Sequence, residues 1–134
     1  MTAELTLLVW SGVLLFVLIG LASTANTRVK SITWNAGNRD EPAPSTGWPG
    51  RADRAYHNML ETLPIFIILV VTAHLANIHS AHTVLGAQLY FWGRVAHSVL
   101  YHLGVAYLRT LAWLVSVIGM ALILIEILNA APAA

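Results

Sequence analysis

Four apolar stretches dominate this chain, and their lengths leave few ways to fold it. Residues 5–25, 54–76, 84–105 and 110–128 each match the roughly 17–25 residues a helix needs to cross a hydrocarbon core about 30 Å thick. In lipid every backbone N–H and C=O must be satisfied within the protein, so only helices and closed barrels span a bilayer. The stretches lack the period-two alternation of barrel strands. The expected fold is an all-α integral membrane protein, a bundle of four transmembrane helices forming one domain over residues 1–134. Composition agrees, with 57% hydrophobic residues, only 10% charged ones and a mean hydropathy of +0.70. Soluble domains carry about 25% charged residues.

The first stretch also has to be weighed as a signal peptide, because Ala22 to Ala25 is a run of small residues. Residues 1–4 contain no basic side chain, and the apolar run exceeds the roughly 7–15 residues of a signal-peptide core. It is therefore expected to remain as a helix. Residues 27–53 form the one long polar connection, and Pro42, Pro44, Gly47, Pro49 and Gly50 predict a turn-rich loop rather than a helix. Five of the seven Lys and Arg residues lie between Arg28 and Arg54. The connection around Asn77 to Thr83 has none. By the positive-inside rule the first and third connections are cytoplasmic and both termini lie outside. These features fit a bacterial inner membrane as well as a eukaryotic internal one.

Charge placed inside such stretches is expensive, and it marks bundle interiors, wet cavities and functional sites. Arg54, Asn58 and Glu61 are spaced i, i+4, i+7 and share one helical face. Arg94, His97 and Tyr101 repeat the arrangement at i, i+3, i+7. Two polar stripes on two helices predict a shared polar pocket. The bland alternative is a structural ion pair between Glu61 and Arg54 or Arg94 that fixes helix register. Pro64 withdraws a donor from the carbonyl of Leu60 and predicts a kink beside Glu61. Gly12, Gly20, Gly93 and Gly119 allow close helix approach. Trp10, Trp34, Trp48 and Trp113 read as interfacial aromatics. Glu126 reads as a structural or interfacial group near the outer end of the last helix.

The chain has no cysteine, which excludes disulfides, a catalytic thiol and thiolate metal sites. Any thiol chemistry needs a bound molecule to bring the sulfur. A formal net charge of +1 speaks against a nucleic-acid partner. A membrane cytochrome would ligate haem with histidines from facing helices, for which His57, His74, His97 and His102 are available. A small proton-coupled transporter also has four helices and about this length, but it places a buried carboxylate in the first helix, where residues 5–25 have none.

The pattern Arg54-Ala-x-x-Asn58-x-x-Glu61-x-x-Pro64 resembles the second-helix signature of the MAPEG family, the membrane-associated proteins in eicosanoid and glutathione metabolism. Gly93, Arg94, His97 and Tyr101, followed by Arg109 and Thr110, resemble the third-helix motif of its microsomal glutathione transferase and prostaglandin E synthase branches. The resemblance covers the whole chain and comes nearest to the bacterial branch. It implies a homotrimer of four-helix protomers, with glutathione held between neighbouring subunits on the cytoplasmic side. The family's glutathione contacts fall on Arg28, Asn58, Glu61, His97, Tyr101, Arg109 and Thr110. Arg54 and Arg94 match cationic positions that support the pocket. Position 57 departs from the prostaglandin-synthase-like members, which carry Arg where this chain has His57, a group mostly neutral at pH 7.

The implied activity is glutathione transfer to apolar electrophiles drawn from the bilayer, with glutathione peroxidase chemistry as a second reaction. The alternative is a non-catalytic member that binds glutathione or lipid. The residue types suit glutathione, which carries two carboxylates, an ammonium and a thiol. Arginine forks suit the carboxylates, Glu61 suits the ammonium, and Asn58 both donates and accepts. The reactive species is the thiolate, and a nearby cation lowers the thiol pKa from about 8.5. Arg109 is the expected cation, with the Thr110 hydroxyl donating to the sulfur. No metal is expected.

Overall fold

The computed structural model describes residues 1–130, and the last four residues of the expected 1–134 domain lie outside them. Five helices follow one another: α1 (Ala3–Lys30), α2 (Ile32–Ala36), α3 (Gly47–Leu75), α4 (Ala81–Leu103) and α5 (Ala106–Ala130). The described residues contain no strand.

Each long helix is bounded by side chains suited to its ends. Thr2 caps α1 by accepting from the Leu5 N–H, while Arg28 and Lys30 sit in the last turn, where cations complement the helix dipole. Ser80 and Thr83 form a reciprocal capping box at the start of α4. Gly104 ends that helix in the left-handed region at φ 79°, with the Val105 N–H donating to the Leu100 carbonyl at 3.0 Å.

The first connection is far shorter than the turn residues predict. Helix α1 runs on through residues 27–30, and α3 begins at Gly47. Pro49 and Gly50 are therefore helical. Pro49 lies in the first turn, where its missing N–H would have had no helical partner. Between the two helices, α2 is tied back onto α1 by the Asn35 amide, which donates to the Ser23 and Thr27 hydroxyls at 2.8 Å each. Lys30 meets Glu41 at 2.9 Å, and this contact holds the Glu41 carboxyl below its ordinary range. Helix α3 continues through Pro64 to Leu75.

Helices α4 and α5 form the most intimate pair. A Cβ added to Gly86 would lie 2.6 Å from the Gly119 carbonyl oxygen, and one on Gly93 would lie 2.9 Å from that of Ala112. Helix α1 packs on α3 and α4, and α3 reaches both α4 and α5. Gly93 and Gly119 thus serve as expected, but Gly12 and Gly20 meet nothing within 4 Å. The interior is filled by Leu18, Met59, Phe66, Val70, Tyr90 and Ile123. Phe66 stacks on Tyr90 at 3.8 Å between centroids. The Tyr90 hydroxyl, otherwise stranded in that core, meets Thr62 Oγ1 at 3.3 Å.

The outer surface is strongly apolar, with Phe16 78% exposed and Ile68 64% exposed. Such a surface needs lipid or protein to cover it. By length and composition α1, α3 and α5 are apolar enough to cross a membrane. Helix α4 is long enough, but Gln88, Arg94, His97 and His102 dilute its apolar character.

At the end of the bundle where α4 begins, two carboxylates gather. Glu4, 5% exposed, accepts from the Thr83 hydroxyl at 2.6 Å, and Glu126 lies 3.0 Å from His82 Nδ1. Both stand beside the positive N-terminus of α4, a structural setting for an anion. Glu4 also corrects the sequence reading in one respect. The buried carboxylate of α1 lies one residue before the stretch searched for it, and it is hydrogen-bonded to the cap of another helix.

Candidate functional site

The opposite end of the bundle, where α4 stops and α5 starts, gathers most of the residues singled out in the sequence. Asn58 of α3, His97 and Tyr101 of α4, and Arg109, Thr110 and Trp113 of α5 line one cavity of about 200 Å³. Helix periodicity explains the convergence. His97 and Tyr101 are four residues apart, as are Arg109 and Trp113, so each pair stands on one face. The two-residue step between α4 and α5, Gly104 and Val105, folds those faces against each other.

The aromatic and cationic groups are layered. The Arg109 guanidinium carbon lies 4.1 Å from the Tyr101 ring centroid, and the His97 ring meets Tyr101 edge-on at 5.3 Å between centroids. The Thr110 hydroxyl donates to the Ala106 carbonyl at 3.3 Å, a long bond. His97 and Asn58 keep unpaired atoms: Nδ1 of the first and Oδ1 of the second are buried with no partner among the described residues.

Behind the cavity sits Arg94, wholly buried. Its Nε contacts the Met59 sulfur at 3.4 Å, and neither Nη1 nor Nη2 has a hydrogen-bond partner among the described residues. A guanidinium with no carboxylate in ion-pair contact among the described residues is costly in an apolar interior. Orphaned donors and acceptors clustered in one place are what a polar ligand would satisfy.

The remaining expected residues lie elsewhere on the protomer. Arg54 is exposed and donates to the Ser45 carbonyl at 2.8 Å. Glu61 is exposed and forms no ion pair with Arg54 or Arg94 among the described residues, so the register-fixing pair is not found in the protomer. Arg28 is exposed at the end of α1. His57 turns the other way, its Nδ1 3.3 Å from Asp53, into a separate cavity of about 380 Å³ between α1 and α3. Consecutive helical residues are about 100° apart, and here that rotation carries His57 to the α1 side of α3 while Asn58 lines the α4–α5 cavity.

Two participants escaped the sequence reading. Trp113 was assigned to an interfacial belt, yet it forms a wall of the site. Its position four residues after Arg109 was the available signal. Arg51 falls inside the connection expected over residues 27–53, whereas its Nε donates to the His102 carbonyl at 3.3 Å and ties the start of α3 to the end of α4. A cation there also satisfies a terminal helix carbonyl.

Apolar helices of spanning length, with a polar cavity built from three helices at one end, define an α-helical integral membrane protein with a constructed polar site. The model of the MAPEG family matches residues 7–129, and this chain belongs to the MAPEG family. That makes it a membrane protein of eicosanoid and glutathione metabolism, in a family that includes glutathione transferases and peroxidases as well as non-catalytic members. No curated protein and no solved structure matches the chain.

Proposed function

We propose that this protein is a membrane-bound glutathione transferase, with glutathione peroxidase activity as a second reaction at the same site. One observation carries the reading: Asn58, His97, Tyr101, Arg109 and Thr110 converge on one cavity at the first turn of α5. Arg109 and the free N–H groups of that turn create a positive potential, the setting that lowers a thiol pKa. The Thr110 hydroxyl exchanges its long bond to Ala106 for the stronger acceptor, a thiolate. The thiolate attacks an electrophilic carbon, a C–S bond forms, and the leaving group departs with its electron pair. With a hydroperoxide the thiolate attacks oxygen, the O–O bond breaks, and a second glutathione resolves the oxidised sulfur.

The cavity of about 200 Å³ is smaller than the roughly 300–1,000 Å³ of a complete ligand pocket. Glu61, Arg54 and Arg28 stand exposed near the same end of the bundle. Both features suit a site completed by a neighbouring copy, and we assign a homotrimer with glutathione between subunits. Helix α4 then serves as the fourth span, its polar stripe shielded by α3 and α5. Both termini lie outside, and the first and third connections face the cytoplasm of a bacterial inner membrane. Apolar electrophiles enter from the bilayer.

The deciding experiment is calorimetry of glutathione binding to detergent-purified protein, wild type and Glu61→Ala. Wild type binds in the micromolar to millimolar range, and Glu61→Ala abolishes binding while its circular dichroism stays helical. Wild-type protein that gives no binding signal overturns the reading.

A further inference from the structure

A second built feature lies outside that site. Between α1 and α4 runs a groove of about 280 Å³ whose walls are almost wholly apolar, with Leu14, Val17 and Leu21 on one side and Val95, Val99 and Leu103 on the other. Leu14 to Leu21 spans two helical turns, about 10 Å at 1.5 Å per residue.

The groove is not apolar at its end. His102, near the last residue of α4, forms part of its wall. The His102 Nδ1 lies 2.8 Å from the Ser98 carbonyl oxygen. A carbonyl only accepts, so Nδ1 carries a proton, and Nε2 is the ring nitrogen left open to a ligand. That Nε2 is buried without a partner among the described residues. Beside it, Arg51 reaches the His102 carbonyl with Nε alone, and no carboxylate pairs with its terminal nitrogens among the described residues. Trp48 lies against the same imidazole, 6.4 Å between centroids. A cation and an indole at the end of an apolar channel are the combination found at the level of lipid headgroups.

We propose that this groove holds one acyl chain of an anionic phospholipid, with its phosphate on Arg51 and a headgroup hydroxyl on His102 Nε2. The apolar walls supply a slot for the chain without selecting a headgroup. Arg51 supplies selection for negative charge, and His102 selects a hydroxyl-bearing head. Bound there, the lipid fastens α1 to α4 and to the start of α3.

The test is native mass spectrometry of the intact detergent-purified protein titrated with dioleoyl phosphatidylglycerol, dioleoyl phosphatidylcholine or soluble glycerol phosphate. Wild type retains phosphatidylglycerol at least tenfold better than phosphatidylcholine. Arg51→Gln removes that preference. Val99→Trp, at a position 53% exposed where a larger side chain need not disturb the interior, weakens retention of both lipids at least tenfold. Glutathione binding by Val99→Trp stays at the wild-type level, which separates this groove from the α5 cavity. Equal retention of the two lipids by wild type, or unchanged retention in Val99→Trp, overturns the proposal. So does binding of glycerol phosphate as tight as that of the lipid, or a Val99→Trp change in subunit number, which would mean that another copy covers the groove.

Discussion

The Arg109 guanidinium carbon lies over the Tyr101 ring, 4.1 Å from its centroid, and this contact holds a cation in the cavity at the α4–α5 junction. Arginine has many rotamers, and a guanidinium held on an aromatic face loses fewer useful orientations when a ligand arrives. A cation over a ring contributes about 0.5–2 kcal/mol. Tyr101→Phe keeps the ring and is expected to hold kcat/KM for a glutathione conjugation within about threefold of wild type. Tyr101→Leu removes the platform and is expected to lower it by about 2–30-fold, the same energy expressed as a rate. Equal losses in the two variants would place the effect in the hydroxyl instead of the ring.

If Arg109 lowers the pKa of a bound thiol, its removal must show in the pH profile as well as in the rate. A nearby positive charge favours the thiolate, so the wild-type rate rises with pH through a pKa below the free value of about 8.5. Arg109→Ala returns that pKa towards the free value. The deficit should therefore be greatest near pH 7 and shrink by pH 9, where thiolate forms unaided. Arg109→Lys should recover part of the shift. A deficit independent of pH would make Arg109 a contributor to binding alone.

The α4–α5 interface predicts opposite outcomes for glycines that look alike in sequence. A Cβ on Gly119 would lie 2.7 Å from the Tyr90 backbone nitrogen, whereas one on Gly12 meets nothing within 4 Å. Backbone cannot step aside as a flexible side chain can. Gly119→Ala should destabilise by about 1–3 kcal/mol through overpacking. Gly12→Ala should be neutral or stabilising by up to about 1 kcal/mol, since alanine loses less entropy in a helix. Thermal unfolding in one detergent, followed by circular dichroism, compares the two directly.

That contrast marks the limit of what the chain's pattern discloses. Apolar length identifies helices because lipid forbids unpaired backbone, whatever the packing. The i, i+4 pairing of His97 with Tyr101 survives for a similar reason: helix geometry alone sets it. Which glycine meets a neighbour depends on how each helix is rotated, and that is decided by the whole core around Phe66 and Tyr90. The first connection is shorter than expected because Pro49 and Gly50 signal turns in general, while a first helical turn tolerates both. Trp113 was misread because an indole near a helix end suits an interface and a cavity wall equally well. His57 adjoins Asn58 in sequence, but the turn of the helix sends it to another cavity.

Arg94 yields the prediction with the most unusual sign. It is wholly buried, contacts Met59 through Nε, and its terminal nitrogens meet no hydrogen-bond partner among the described residues. Breaking a buried ion pair destabilises because it strands a charge, but here the charge is already stranded. An apolar side chain of similar length should suit the ligand-free interior better. Arg94→Met is therefore expected to raise the thermal midpoint of the protein without ligand by several degrees. The same substitution removes two donors behind Asn58 and His97, so the further stabilisation that glutathione gives by binding only the folded state should vanish. Thermal unfolding with and without millimolar glutathione measures both effects in one experiment. A variant that is less stable without ligand would show that Arg94 is held by partners from a neighbouring copy or by ordered water. Greater stability combined with lost ligand response would show that the bundle keeps this charge for binding, at a cost to its own stability.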